Sequence, residues 1–403
     1  MKKALKNKKI VLLIVNIIVI VVMIGIRFTI WNNVSLLYAE QAGQRYSTKK
    51  EKSGHIAVFT DRDNAITNDN IKSARVTVNN SLRDEDLLGD NTKSRKWIDC
   101  YSCETDVNFK RGEASFDTKA MLVGADFFII HPIPLVSGTY FTENDPDKFR
   151  VIIDENLAWN LFGSPDICGK ELIISGHIYT IAGVVESGYT NFSKIAMGTA
   201  NRMYLPYQSY VNYSKSSSGD MTSKSTSSDT NASVAQDAGS DADVSPENFP
   251  ITCYEVVMPD PVKNFALNIV KKAMNISTDN SEATKDSEVL NFEGIEVVDI
   301  TSRYGFLTLL SNAKNFYYRA MKTNAIIYPY WENEARMVEY NASIFYLLLV
   351  ILGLVPFITI CRVLYKGIPF CIQKIKDLHI MDRIYNFRSR KNKSVGNSGG
   401  LVS

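Results

Sequence analysis

Two stretches without a charged residue, 10–26 and 343–361, stand near opposite ends of the chain and enclose a long segment, 32–340, of mixed polar and apolar pattern. The first, IVLLIVNIIVIVVMIGI, has Asn16 as its one polar residue. At a rise of about 1.5 Å per residue it covers most of a hydrocarbon core about 30 Å thick, and 28–31 extend it when Arg27 snorkels outward. The predicted span is 10–30. The second, SIFYLLLVILGLVPFITIC, carries Gly353 and Pro356, which a membrane helix accommodates through neighbouring groups; the predicted span is 343–364.

The flanks orient both spans. Lys2, Lys3, Lys6, Lys8 and Lys9 precede the first, while Arg362, Lys366, Lys374, Lys376, Arg383, Arg388, Arg390, Lys391 and Lys393 lie in or after the end of the second. Basic flanks stay cytoplasmic, so 1–9 and 365–403 are expected inside and 32–340 outside. The apolar run of 10–26 is longer than the usual signal-peptide core of about 7–15 residues, and no small-x-small cleavage site follows it, so an uncleaved anchor is expected. Trp31 falls where an interfacial aromatic belongs.

Within 32–340 the periodicity alternates between helix and strand. Residues 55–60 (HIAVFT) read as a strand, and Ile71, Ala74, Val78 and Leu82 recur at helical spacing behind a capping candidate at Thr67 or Asn68. Short strands are expected at 97–101, 107–110 and 120–123. From Val151 the order is strand (VIID), helix (ENLAWNLFG), then two strands joined at Ser175-Gly176. Later, CYEVVM and GIEVVDIT read as strands and 262–274 as an amphipathic helix. The expected fold class is therefore α+β between two transmembrane helices. Residues 214–248, rich in Ser, Asp, Thr, Ala and Gly, lack the apolar content to offset ordering entropy and are expected to form a disordered loop; 277–288 is a second polar patch.

Composition narrows the function. The net charge of +2 conceals basic ends and a mildly acidic middle, which gives no support to a nucleic-acid partner. No G-x-x-x-x-G-K-[ST] loop is present, so no ATP hydrolysis is expected of this chain. The four histidines, His55, His131, His177 and His379, are scattered in sequence without metal-ligand spacing, and no histidine-centred site or metal is expected. Of six cysteines, Cys100, Cys103, Cys168 and Cys253 lie in the outer segment and are candidates for disulfides; free thiols, a Cys100–Cys103 redox pair and half a zinc site are the alternatives. Glu332, Glu334, Arg336 and Glu339 read as a solvated helical face before the second span. In the tail, Ile372, Ile375, Leu378 and Ile384 interleave with basic residues as an amphipathic helix, suited to anionic headgroups or to docking on a cytoplasmic ATPase.

The stretches VGADFFIIHPIPLVSGTYF (123–141) and RVIIDENLAWNLFGSPDICGKELIISGHIYTIAGVVE (150–186), set between the two spans, resemble the MacB-type periplasmic core domain of FtsX-like ABC transporter permeases. Gly138, Asp154, Gly163, Gly169, Gly176 and Gly183 carry the pattern; their duties are turns, a helix cap, a helix stop and close packing. The resemblance implies a two-lobed outer domain with an inserted lobe at about 125–210, no catalytic residues and no cofactor of its own. It also implies a separate ATPase, with a further permease subunit or an oligomer as partner. A full permease carries further spans after the second; here a basic tail stands there, so transport by this subunit alone is not expected. A stand-alone binding or sensing protein is the alternative, and a membrane-anchored hydrolase lacks a nucleophile–base pair.

Overall fold

The computed structural model describes residues 2–49, 51–88, 95–188, 190–198, 200–219, 249–276, 289–292, 294–314, 326 and 328–396. The chain divides into two units: one combines residues 1–30 with 345–403, and the other is 31–344.

In the first unit, helix α1 (Lys2–Ser35) carries the first apolar stretch. The second lies on the long helix that begins in the other unit and is numbered α10 below. Both are long and apolar enough to cross a membrane, over Ile10–Ser35 and Tyr330–Pro369. They pack on each other: Asn16 Nδ2 donates to the Leu12 carbonyl at 2.8 Å and to Thr359 Oγ1 at 3.3 Å, and the Arg27 guanidinium lies 5.8 Å from the Tyr346 ring centroid. Pairing the lone amide with a facing hydroxyl is how a polar group is accommodated between apolar helices. The remaining surface is apolar and exposed, with Ile14, Ile18, Leu354 and Ile358 among its residues.

The second unit is built on one sheet. In chain order its elements are a 3-10 turn (Ala39–Gln41), α2 (Ala42–Tyr46), β1 (Ser53–Thr60), α3 (Asn68–Asp84), β2 (Ile98–Arg111), β3 (Ala114–Ala125), α4 (Phe127–Ile130), β4 (Leu135–Gly138), β5 (Arg150–Asp154), α5 (Glu155–Phe162), β6 (Glu171–Ile174), β7 (His177–Val185), α6 (Asn191–Met197), β8 (Arg202–Pro206) and α7 (Tyr207–Gly219). Then follow β9 (Cys253–Pro259), α8 (Phe265–Ala273), β10 (Val289–Phe292), β11 (Ile295–Asp299), α9 (Phe306–Lys314) and α10 (Tyr330–Gly396). The strand order is β10-β11-β1-β9-β2-β3-β8-β5-β7-β4, with β6 pairing β2 and β7. Pairing is antiparallel except for β3 with β8 and β5 with β7.

Every residue of β1 is buried, which is why its sequence is a near-continuous apolar run: both faces of the sheet are covered. Ile56, Val58, Tyr254 and Val256 pack on one face with α3 and α8; Ala57, Phe59, Cys253 and Val257 pack on the other with α4 and the first turn of α10. Thr67 caps α3 in a capping box with Asn70.

The short strands expected at 97–101, 107–110 and 120–123 are parts of one β2–β3 ribbon, paired from Cys100↔Ala125 to Arg111↔Ala114. Val107 and Phe109 of β2 are buried in the core, while the tip of the ribbon, 110–117, is exposed and is held by backbone pairing. Residues 191–213, where periodicity made no assignment, lie in α6, β8 and α7. The first residues of the loop expected at 214–248 are instead helical, since α7 runs to Gly219; 220–248 and the patch 277–288 lie outside the described residues.

Candidate functional site

Three groupings of polar side chains stand out in the second unit. The first is centred on Arg303, in the turn after β11. Its Nη1 and Nη2 donate to the two oxygens of Glu332 at 2.8 and 3.0 Å, its Nε donates to Glu339 at 2.8 Å, and its Nη1 also reaches Glu40 at 3.3 Å. Arg336 continues the chain, donating to Glu332 at 2.6 Å and to Glu296 of β11 at 2.8 Å, its guanidinium 4.0 Å from the Tyr328 ring centroid. Glu332, Arg336 and Glu339 fall on one face of α10 by their spacing of four and three.

The solvated face expected at 332–339 is therefore corrected. Glu332 is 0%, Glu334 2% and Glu339 6% exposed. The fold supplies guanidiniums for two of these acids and the Thr190 hydroxyl, which donates to Glu334, for the third. Burial of an ion pair is tolerated when geometry and hydrogen bonding are this complete. Burial pushes the Glu40 carboxyl up to about 8 against the opposing pull of Arg303, with Glu332 adding to the rise.

The second grouping surrounds Glu255 of β9. His55 Nε2 lies 2.8 Å from Oε2; His131 Nε2 lies 3.1 Å from Oε1, which also accepts from Trp331 Nε1 at 3.1 Å and from the Cys253 thiol at 3.4 Å. Register explains the meeting: His55 stands opposite Val257 in the β1–β9 pairing, Cys100 stands opposite Glu255 in the β2–β9 pairing, and α4 ends next to His131. Burial raises the Glu255 carboxyl, but His131 and then His55 outweigh it and hold it well below the carboxylate range. Burial, then the Glu255 charge, pushes the Cys100 thiol well up. The expectation of scattered, unrelated histidines is thus corrected for His55 and His131, which strand pairing brings onto one carboxylate. One sulfur, nitrogen or oxygen atom from each of Cys100, His131 and Glu255 lies within 4.8 Å of the others, a donor set able to hold a metal.

The third is a cleft of about 890 Å³ beside α3 and α7. Its walls carry matched charges: Arg75 donates to Asp99 at 2.7 Å, Arg95 to Asp126 at 2.8 Å, and Glu143 accepts from the Ala125 N–H at 3.0 Å. Tyr101, Phe128 and Phe141 line it between these pairs. Among the described residues that line it, no histidine, cysteine or serine is set beside a base as a nucleophile would need.

The cysteines singled out from sequence are free thiols. Cys100 and Cys103, three apart on β2, point to opposite faces and into separate cores, which removes the Cys100–Cys103 pair as a disulfide or redox couple. Cys168 is exposed, and Cys253 is buried on the Glu255 side. Asp154 caps α5, its Oδ1 accepting from Leu157 N–H and its Oδ2 from Arg202 N–H, both at 2.6 Å. Gly163 ends the same helix with φ +68°. Gly138 (φ +78°) pairs with Gly183 across β4 and β7, where a β-carbon on Gly138 would stand 2.2 Å from the Ala182 carbonyl oxygen. Gly169 lies before β6, and Gly176 lies in the β6–β7 turn. Ile372, Ile375, Leu378 and Ile384 are on the helical backbone of α10. Sequence reasoning missed Arg303, Glu40 and Glu255; their partners are remote in the chain, and no local pattern marks them.

The sequence profile of the MacB-like periplasmic core domain matches residues 10–242, more than half of the chain. The chain belongs to that family, a periplasmic domain of MacB/FtsX-like ABC transporter permeases, and its mixed α and β domain lies between two long apolar helices. Similar solved structures include the periplasmic region of MacB from Actinobacillus actinomycetemcomitans, 14% identical over 64% of this chain and 92% of that one with a TM-score of 0.34. Another is the extracellular domain of the noncanonic ABC-type transporter YknZ from Gram-positive bacteria, 14% identical over 55% and 92% with a TM-score of 0.33. No curated protein matches the chain.

Proposed function

We propose that this chain is a non-catalytic membrane subunit of an ABC-type export or mechanotransmission complex, anchored by its two apolar helices with both tails in the cytoplasm. Its outer domain, with 125–210 as the inserted lobe, couples to a substrate or an extracytoplasmic partner, and ATP is hydrolysed by a separate subunit. One observation carries the reading. Arg303, rooted next to β11, binds Glu40, which follows the first apolar helix, and also Glu332 and Glu339, which precede the second apolar stretch on α10. One guanidinium therefore ties both membrane-proximal segments to the sheet, so that a displacement of either segment reaches the outer domain. The basic helical tail at 372–384 supplies a surface for the ATPase.

The cleft favours a second reading, a stand-alone surface binding or sensing module, since paired charges alternating with aromatic rings suit a ligand of mixed charge. Purification of the full-length protein from its native host in mild detergent separates the two. Recovery of an ATP-binding subunit in comparable amount is the expected outcome. Recovery of the protein alone, under conditions that keep other ABC complexes intact, overturns the complex and leaves the binding module.

A further inference from the structure

We propose that Cys100, His131 and Glu255 form a buried binding site for a divalent transition ion, zinc in the first place, that locks the end of α4 onto the centre of the sheet. The argument starts from the donor set. Thiolate sulfur, imidazole nitrogen and carboxylate oxygen together match the borderline character of zinc, and they disfavour calcium and magnesium, which prefer oxygen alone. Zinc bonds of about 2.0–2.3 Å place tetrahedral ligand atoms roughly 3.2–3.8 Å apart. The His131–Glu255 separation of 3.1 Å is already at that scale, and all three atoms stand within 4.8 Å, so closing around an ion takes a movement of about 1 Å.

The surroundings fix the ligands as a metal site requires. His55 holds the far oxygen of Glu255 at 2.8 Å, and Trp331 Nε1 at 3.1 Å fixes Oε1 beside His131 Nε2. The His131 ring is set between Phe127 and Trp331, with centroids 4.7 and 4.5 Å away. His131 is only 4% exposed and Glu255 1%, so an ion held between Nε2 and Oε1 is shielded from water. Cys253, whose thiol donates to Glu255 Oε1, supports the carboxylate from the side. On coordination the Cys100 thiol proton leaves to solvent and the sulfur binds as thiolate. Because the site is enclosed, the ion enters as the domain folds.

Cobalt reports the site directly. Full-length protein is expressed in zinc-depleted medium supplied with Co²⁺, purified in detergent, and measured for bound metal and for its absorption spectrum. One equivalent of cobalt per chain is expected, with a thiolate-to-cobalt charge-transfer band in the near ultraviolet. Cys100→Ser removes the band and Cys253→Ser keeps it, while His131→Asn shifts the visible ligand-field bands. Wild-type protein that takes up no stoichiometric ion overturns the proposal, whatever the variants do, and so does a band that survives Cys100→Ser. The result is independent of whether an ATPase co-purifies.

Discussion

Around Arg303, four carboxylates, Glu40, Glu296, Glu332 and Glu339, face two guanidiniums, Arg303 and Arg336, among the described residues. The excess of acid is accommodated by a proton on Glu40, whose carboxyl burial raises from 4.5 to about 8. A raised acid binds its proton in the folded state at a pH where the unfolded chain has lost it. The stability this contributes is fully present below pH 4.5 and is lost as pH rises through about 8. Thermal unfolding of the full-length protein in detergent is therefore expected to move to lower temperature from pH 6 to pH 8.5, at no more than about 1.4 kcal/mol per pH unit from this group. Glu40→Gln, neutral at every pH, should flatten that part of the profile; an unchanged slope would show that the cluster carries its charge in another way. Local charge spacing could not reveal this cluster, because Arg303 lies 29 positions from Glu332 and 263 from Glu40. A Glu-rich turn looks the same in sequence whether water or a distant arginine faces it.

Elements whose ends are written in neighbouring residues were the readable ones. Helix α5 opens at Asp154 and stops at Gly163, and both signals lie within the segment they govern. What the cap also does was hidden: Asp154 Oδ2 receives the Arg202 N–H, joining β5 to β8 where the two strands run antiparallel. Asp154→Ala leaves two buried N–H groups without acceptors, so its cost should exceed the usual cap loss of about 1 kcal/mol and reach roughly 2–3 kcal/mol. Asp154→Asn keeps one acceptor oxygen and should cost less. Unfolding followed by intrinsic tryptophan fluorescence distinguishes them, and equal losses would mean that the second oxygen is idle. The β2–β3 ribbon was readable only in pieces: alternation marks 107–110, where Val107 and Phe109 are buried, but the tip at 110–117 is exposed throughout and carries no buried alternation to join the pieces. Likewise β8 is short, and its apolar residues are buried by partners from β3 and β5 rather than by anything adjacent in sequence.

For the molecule as a whole, the two apolar stretches and the family pattern at 123–186 were legible, because membrane spans and tight turns are dictated by composition and backbone geometry over short distances. Sheet order and the convergence of His55, His131 and Cys100 on Glu255 depend on pairings between remote strands, which a single sequence does not encode locally. Orientation can be tested with the cysteines the fold provides. Cys168 is exposed on the sheet domain, whereas Cys100, Cys103 and Cys253 are buried free thiols. In intact cells a membrane-impermeant maleimide should therefore label the wild-type protein, and Cys168→Ser should abolish the labelling. The substitution is mild, since the sulfur contacts Ser137 Oγ at 3.6 Å in a half-open turn and a hydroxyl can keep that contact. Labelling confined to inverted vesicles would place the domain in the cytoplasm. That result would sink the reading drawn from the basic flanks, and with it an outer domain acting on an extracytoplasmic partner.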